Sequence, residues 1–177
     1  MLVIREAQLD KLQRLPRHEV EFQFIEILFR YYPRECRSAG EERIRSFVRK
    51  GILSAAGHGY LTLDTIGVYL TLMMILGGDF DSDPQLGWAQ SQLEDFSFAP
   101  PERIRALLSS TLEYLDRTVG ADGGNIARAM LRIRKHDFEK PLNLTGADLE
   151  SELAANLLRF YPEKAACQGD DVNRALI

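Results

Sequence analysis

Cysteine is scarce in this chain: Cys36 and Cys167 are the only two in 177 residues, and neither lies in a CxxC. Two thiols cannot frame a disulfide scaffold, which points to a reducing compartment and to free, unreactive side chains. An excess of positive charge is missing too. With 22 basic against 26 acidic residues the net charge is −4, so no overall field gathers phosphates, and nucleic acid is excluded as the expected partner. No apolar run approaches the ~20 residues that a membrane-spanning helix needs. The most apolar stretch, IGVYLTLMMILGG from Ile66 to Gly78, reads as a buried helix. The opening MLVIREAQLDKLQRLP carries Arg5, Glu6 and Asp10 where a signal peptide needs its apolar core. The expected location is therefore cytoplasmic, away from membranes.

Catalytic motifs are absent as well: no GxSxG, phosphate loop, dinucleotide fingerprint or HExxH occurs. His18, His58 and His136 are scattered, and His58, between two glycines, reads as a helix-end residue. Ser109, Ser110 and Thr111 sit inside a helical pattern without a base beside them. The pairs Glu41–Glu42 and Asp170–Asp171 suit the first turns of helices, where they favour the backbone dipole. Asn143-Leu144-Thr145 spells a glycosylation sequon that only an exported chain would use. One spacing hints at a metal. Asp79, Asp81 and Asp83 match the first, third and fifth positions of a calcium loop, but Pro84 replaces its turn glycine and Gln90 its bidentate acid. The competing account has Asp83 capping the next helix, with Pro84 in its first turn. No catalytic residue, cofactor or metal ligand is assigned.

What the chain has in quantity is apolar residues at helical spacing. At 45% apolar and 9% aromatic it can fill one core, and strict alternation long enough for a strand occurs nowhere. The expectation is an all-α protein, one domain over residues 1–177, built as a bundle of about eight helices. The first would run from about Arg5 to Leu15, ended by Pro16. In RHEVEFQFIEILFRYY, Val20, Phe24, Ile27, Leu28 and Tyr31 form one stripe, and Phe22, Ile25, Phe29 and Tyr32 an adjoining one. So broad an apolar face belongs either to the core alone or to the core and a partner.

One phrase is written twice. FRYYPRECRSAGEE, from Phe29, is echoed by LRFYPEKAACQGDD, from Leu158; 162 minus 33 for the prolines and 169 minus 40 for the glycines both give 129. Each copy reads as a helix stop at proline followed by a helix start, with aromatics beneath the corner. A Thr145-x-x-Asp148 box opens the helix before the second copy, and DDVNRALI offers a last short helix. In GNIARAMLRIRKHDF, Ile126, Met130 and Ile133 face one way while Arg128, Arg132 and Lys135 face another. Arg128, Arg132, Arg134 and Lys135 would suit an acidic partner or simply a solvated face. Trp88 serves either as core or as an exposed anchor.

The order VIREAQLDKL, FRYYPRECRSAGEERIRSFVRKGILSAAGHGY, VYLTLMMILGGDFDSDPQLGWAQSQL resembles a family of small helical proteins encoded in bacterial type VI secretion and polymorphic-toxin operons. The likeness spans roughly the first hundred residues, with RFYPEKAA as a later supporting piece. It implies a non-enzymatic accessory protein, an adaptor or co-chaperone. Such a protein helps an effector load onto the secretion apparatus, with an effector, its chaperone or a spike component as protein partner. The candidate partner-facing residues are Phe22, Ile25 and Phe29 together with Arg128, Arg132 and Lys135. Two alternatives stand beside this reading. One is an immunity protein that neutralises a cognate toxin. The other is an enzyme of unrecognised type, whose best foothold is the acidic loop from Asp79 to Asp83.

Overall fold

The computed structural model describes residues 17–136 and 147–168. Among these every regular element is helical. In chain order the α-helices are α1 (Arg17–Tyr31), α2 (Pro33–Ala39), α3 (Glu41–Gly57), α4 (Leu63–Leu76), α5 (Gly87–Leu93), α6 (Pro100–Thr118), α7 (Gly124–Arg134), α8 (Ala147–Phe160) and α9 (Pro162–Gln168). Single 3₁₀ turns at Pro84–Leu86 and Ala121–Gly123 precede α5 and α7. The expected helix before Pro16, the Thr145-x-x-Asp148 box, the Asn143 sequon and the DDVNRALI segment lie outside the described residues.

The chain forms two compact units. The first comprises the described residues up to Asp81 together with Trp88–Leu108; the second comprises Ser82–Gly87 and the described residues from Ser109 onward. In the first unit α1, α2 and α4 pack on α3. The core between them is aromatic and aliphatic, with Phe24, Leu28, Val48, Tyr69, Leu72 and Met73 all buried. α4 is the Ile66 stretch that the sequence marks as buried. It starts at Thr62, whose hydroxyl accepts from the Thr65 N–H while the Thr65 hydroxyl accepts from the Thr62 N–H, so two orphan donors of the helix start are satisfied at once. α3 lies so close to α4 at Gly51 that a methyl there would collide with Leu70 Cδ2 and stand 2.8 Å from Met73 Sδ.

The second unit has a smaller and more polar interior, in which Leu86, Thr111, Tyr114, Thr118, Asn125 and Ala129 are buried. Asn125 earns its place through the turn between α6 and α7. Its amide donates to the Arg117 carbonyl over 3.0 Å, its backbone N–H to the Val119 carbonyl over 2.9 Å, and its oxygen accepts from Arg128. The Arg117 carbonyl at the end of α6 and the Val119 carbonyl just beyond it are thereby paired.

The repeated phrase folds the same way twice: a helix stops before each proline as expected, and a short helix that was not expected starts at the proline itself. Tyr32 and Tyr161 each close one helix and open the next. Their N–H groups donate back to Leu28 (2.8 Å) and Leu157 (2.9 Å), while their carbonyls accept from Cys36 (3.0 Å) and Ala165 (3.1 Å). Pro33 and Pro162 are therefore the first residues of α2 and α9 rather than the residues that merely end a helix. A proline at that position forfeits no hydrogen bond, because the first N–H groups of a helix have no internal acceptor, and its fixed φ is already helical. Gly40, at φ +87°, separates α2 from α3, and Glu41 and Glu42 occupy the first turn of α3 as expected. The echo Gly169 lies outside the described residues.

Candidate functional site

The sequence nominated two surfaces, and each belongs to a different unit. On α1 the core takes the middle of the apolar face: Phe24, Ile25 and Leu28 are buried. Apolar side chains remain along both edges. Phe22 is 56% exposed and Phe29 half-buried, one helical row apart from the core; Tyr31 is 56% exposed beside the half-buried Ile27. Of the three nominated residues, Phe22 and Phe29 reach the surface, whereas Ile25 belongs to the core.

On the Tyr31 edge a groove of about 130 Å³ opens between α1 and α4, lined by Phe24, Ile27, Leu28, Tyr31 and Tyr32 on one side and Gly67, Leu70 and Thr71 on the other. Gly67 allows the approach; a methyl there would touch Phe24 at 3.4 Å. The Phe22 edge is polar by contrast. Glu21 there accepts from Arg49 Nε over 2.9 Å and from Arg45 over 3.4 Å, tying α1 to α3.

On the second surface Arg128, Arg134 and Lys135 are exposed, while Arg132 is half-buried; α7 packs inward with Asn125, Ala129 and Arg132, and its isoleucines stay at the surface. Arg132 donates to the carbonyl of Phe160 over 3.2 Å and lies 3.3 Å from Glu163 Oε2, and the His136 ring meets the Phe160 ring edge-on at 4.9 Å. The end of α8 offers an orphan carbonyl and the first turn of α9 a carboxylate, so a guanidinium is better placed inside this corner than a methyl-bearing side chain. Glu163 is held below the usual carboxyl range by its own first-turn backbone N–H and then by Arg132 and Arg128. Arg128, 57% exposed, lies 3.8 Å from Glu163. Arg132 is thus a structural residue, and Lys135 is exposed at the helix end. Ile126, Met130 and Ile133 are left 38%, 66% and 43% exposed.

The three aspartates are separately engaged. Asp79 pairs with Lys50, and Asp81 Oδ2 accepts from the Tyr69 hydroxyl over 2.7 Å. Asp83 caps the Pro84 turn, its Oδ1 accepting from the Gln85 N–H over 2.8 Å. Among the described residues no group of three His, Cys, Asp or Glu side chains is placed to hold a metal ion. His58 closes α3 as expected, and its Nε2 lies 3.6 Å from the same Asp81 oxygen.

Around His58 the first unit holds a polar cluster that sequence reasoning missed. Arg103 is 3% exposed; its Nε donates to the Tyr60 hydroxyl over 3.0 Å and its terminal nitrogen to the His58 carbonyl. The guanidinium sits 5.1 Å from the Tyr60 ring centre and 4.9 Å from that of Phe96, an aromatic seat for a buried cation. Tyr69, inside this cluster, is raised far above the ordinary phenol value, by burial first and then by Asp81. A signal existed: Arg103 occupies the same helical row as Leu107 and Thr111, which makes it an arginine at a core position of α6.

Both cysteines are free; Cys36 is buried, and burial followed by the Glu35 charge pushes its thiol up, away from reactivity. Trp88 is half-buried. No described helix is long and apolar enough to cross a membrane. Compared with known proteins, the chain matches no family model, no curated protein and no solved structure.

Proposed function

We propose that the chain is a non-enzymatic accessory protein, an adaptor or co-chaperone that binds an effector, its chaperone or a spike component of a type VI secretion or toxin system. The observation that carries this reading is the surplus apolar surface of α1. After the core has taken Phe24, Ile25 and Leu28, Phe22 and Tyr31 still stand more than half exposed, and the groove beside Tyr31 is open. Exposed aromatics at the rim of an apolar groove are the kind of anchor that protein interfaces use. The sequence resemblance supplies the biological setting, and the proposal holds the chain to be cytoplasmic and to act without a cofactor.

Co-expression with each protein encoded beside it tests the reading. A stoichiometric complex that survives gel filtration supports it, and its loss in Tyr31→Ser with unchanged melting assigns the contact to this face. A chain that stays alone at micromolar concentration with every neighbour overturns it. The immunity reading is separated by deletion: loss of an adaptor leaves the producing cell healthy and abolishes delivery, whereas loss of an immunity protein poisons it.

A further inference from the structure

We propose that the segment Met1–Pro16 folds back along α1 and seats its leucines in the groove between α1 and α4, so that the chain carries its own competitor for the partner-binding face. This deepens the accessory reading, and its regulatory half rests on that reading. The groove follows one edge of α1, where Tyr31 is exposed and Ile27 half-buried above the buried Phe24 and Leu28. Gly67, Leu70 and Thr71 make the opposite wall. The Thr71 hydroxyl donates to the Gly67 carbonyl over 2.9 Å within α4, so that wall is suited to apolar contact.

Connection, length and pattern decide the occupant. The segment joins α1 at Arg17, the end of the helix remote from Tyr31. α1 spans 15 residues, about 22 Å at the helical rise. The 16 residues before it cover about the same length as a helix, so a chain that turns at Pro16 returns to the level of Tyr31. At 100° per residue Leu2, Leu9, Leu12 and Leu15 fall on one side with Ile4 next to Leu15, while Glu6, Asp10, Gln13 and Arg14 fall on the other. One side thus suits the groove and the other suits water, the pattern of a helix laid in an apolar groove. The tether also ranks the competitors. A segment held on a short connection meets the groove at an effective concentration of about 1 mM, so at micromolar protein the same segment of a second copy competes at a disadvantage of roughly a thousandfold.

Two measurements on the full-length chain test this. A photoreactive benzophenone side chain placed at position Leu9 is expected, on irradiation, to join within one chain to the peptides that contain Ile27–Tyr32 or Gly67–Thr71. Tyr31→Asp puts charge at the mouth of the groove on an exposed position, and should lower that yield about fivefold or more. In the second measurement a fluorescent peptide of the sequence MLVIREAQLDKLQRLP is added in trans. It should bind the double variant Leu9→Asp, Leu12→Asp, whose own segment no longer fits, and bind the wild type about tenfold more weakly, because there the groove must first be vacated. Equal binding to the two chains, binding to neither, or crosslinks that fall elsewhere or fail to form overturn the proposal. Crosslinks that join two chains overturn it too and assign the groove to the segment of a second copy. The two readings fail separately. If crosslinks and peptide behave as expected but neither the wild type nor the double variant captures a neighbouring protein, the fold-back stands and the accessory role falls. If both chains capture a neighbour equally and the peptide binds neither, the accessory role stands and the fold-back falls.

Discussion

Arg103 and Tyr60 form one unit: the guanidinium donates to the tyrosine hydroxyl over 3.0 Å while its centre stands 5.1 Å from the same ring. With the His58 carbonyl as a second acceptor, this ties the start of α6 to the residues that follow α3. Arg103→Leu leaves two acceptors without a donor, and is expected to cost about 2–4 kcal/mol. Tyr60→Phe strands a buried donor and should cost about 1–3 kcal/mol. Because both variants break the same contact, the double variant should lose less than the two singles together. Urea midpoints at unchanged m-value measure all three.

Gly51→Ala is expected to destabilise despite helix propensity. Alanine in mid-helix gains about 1 kcal/mol over glycine. The added methyl, however, meets Leu70 and Met73 where α3 and α4 touch, and overpacking of this kind typically costs about 1–3 kcal/mol. A melting temperature above the wild type's would show that α4 yields.

At the two tyrosine–proline junctions, phenylalanine distinguishes hydroxyl from ring. Tyr161 donates its hydroxyl to the Thr118 carbonyl over 2.9 Å. Tyr161→Phe should cost about 1 kcal/mol, and Tyr32→Phe less than about 0.5 kcal/mol. Alanine at either position removes a half-buried ring and should cost about 2 kcal/mol, below the ~3–5 kcal/mol of a fully buried one. Thermal melts of the four variants check this order.

How much of this was legible in sequence depends on whether a single helix held the signal. The breadth of the α1 apolar face, the Asp83 cap, the His58 helix end and the buried α4 follow from spacing within one segment. The second proline–aromatic corner was visible as a repeat, but the helix start after Pro33 was placed at Glu41, so the short helix Pro33–Ala39 went unseen. In α7 the two faces were separable by spacing, but that Arg132 would leave the basic face for the interior was not. The α8 carbonyl and Glu163 that draw Arg132 inward come from residues far along the chain. Arg103 was missed for the same reason, its partners lying 43 and 45 positions away.

Alkali should unfold the chain through its phenols. Burial, as the first cause, raises both Tyr69 and Tyr114 above the ordinary tyrosine value. A proton held more tightly in the folded state gives stability that is complete below the unfolded tyrosine pKa of ~10 and is lost as pH rises beyond it. Phenolate absorbance from these side chains should therefore appear together with loss of far-ultraviolet circular dichroism. Phenolate formation in a still-helical protein would contradict it.

Acid acts at the other corner. Glu163 is depressed in the folded chain by its first-turn N–H and by Arg132. Its contribution is present above the ordinary carboxyl pKa and is lost as pH falls through the lower folded value. Below about pH 4 the amides of α9 should lose protection against exchange, measured relative to the rate of an unstructured chain at the same pH, and Glu163→Gln should already show the lower protection at neutral pH.

The gene for this protein cannot be divided where its fold divides. Ser82–Gly87 belongs with the residues that follow Ser109, while Trp88–Leu108 belongs with the N-terminal helices, and the change at Leu108 falls inside α6. A stop codon after Leu108 would leave the buried Leu86 without its partners, and a start at Ser109 would omit it altogether. Fragments made to assign a binding partner to one half would report misfolding instead of specificity, so mapping must proceed by surface substitutions in the intact chain.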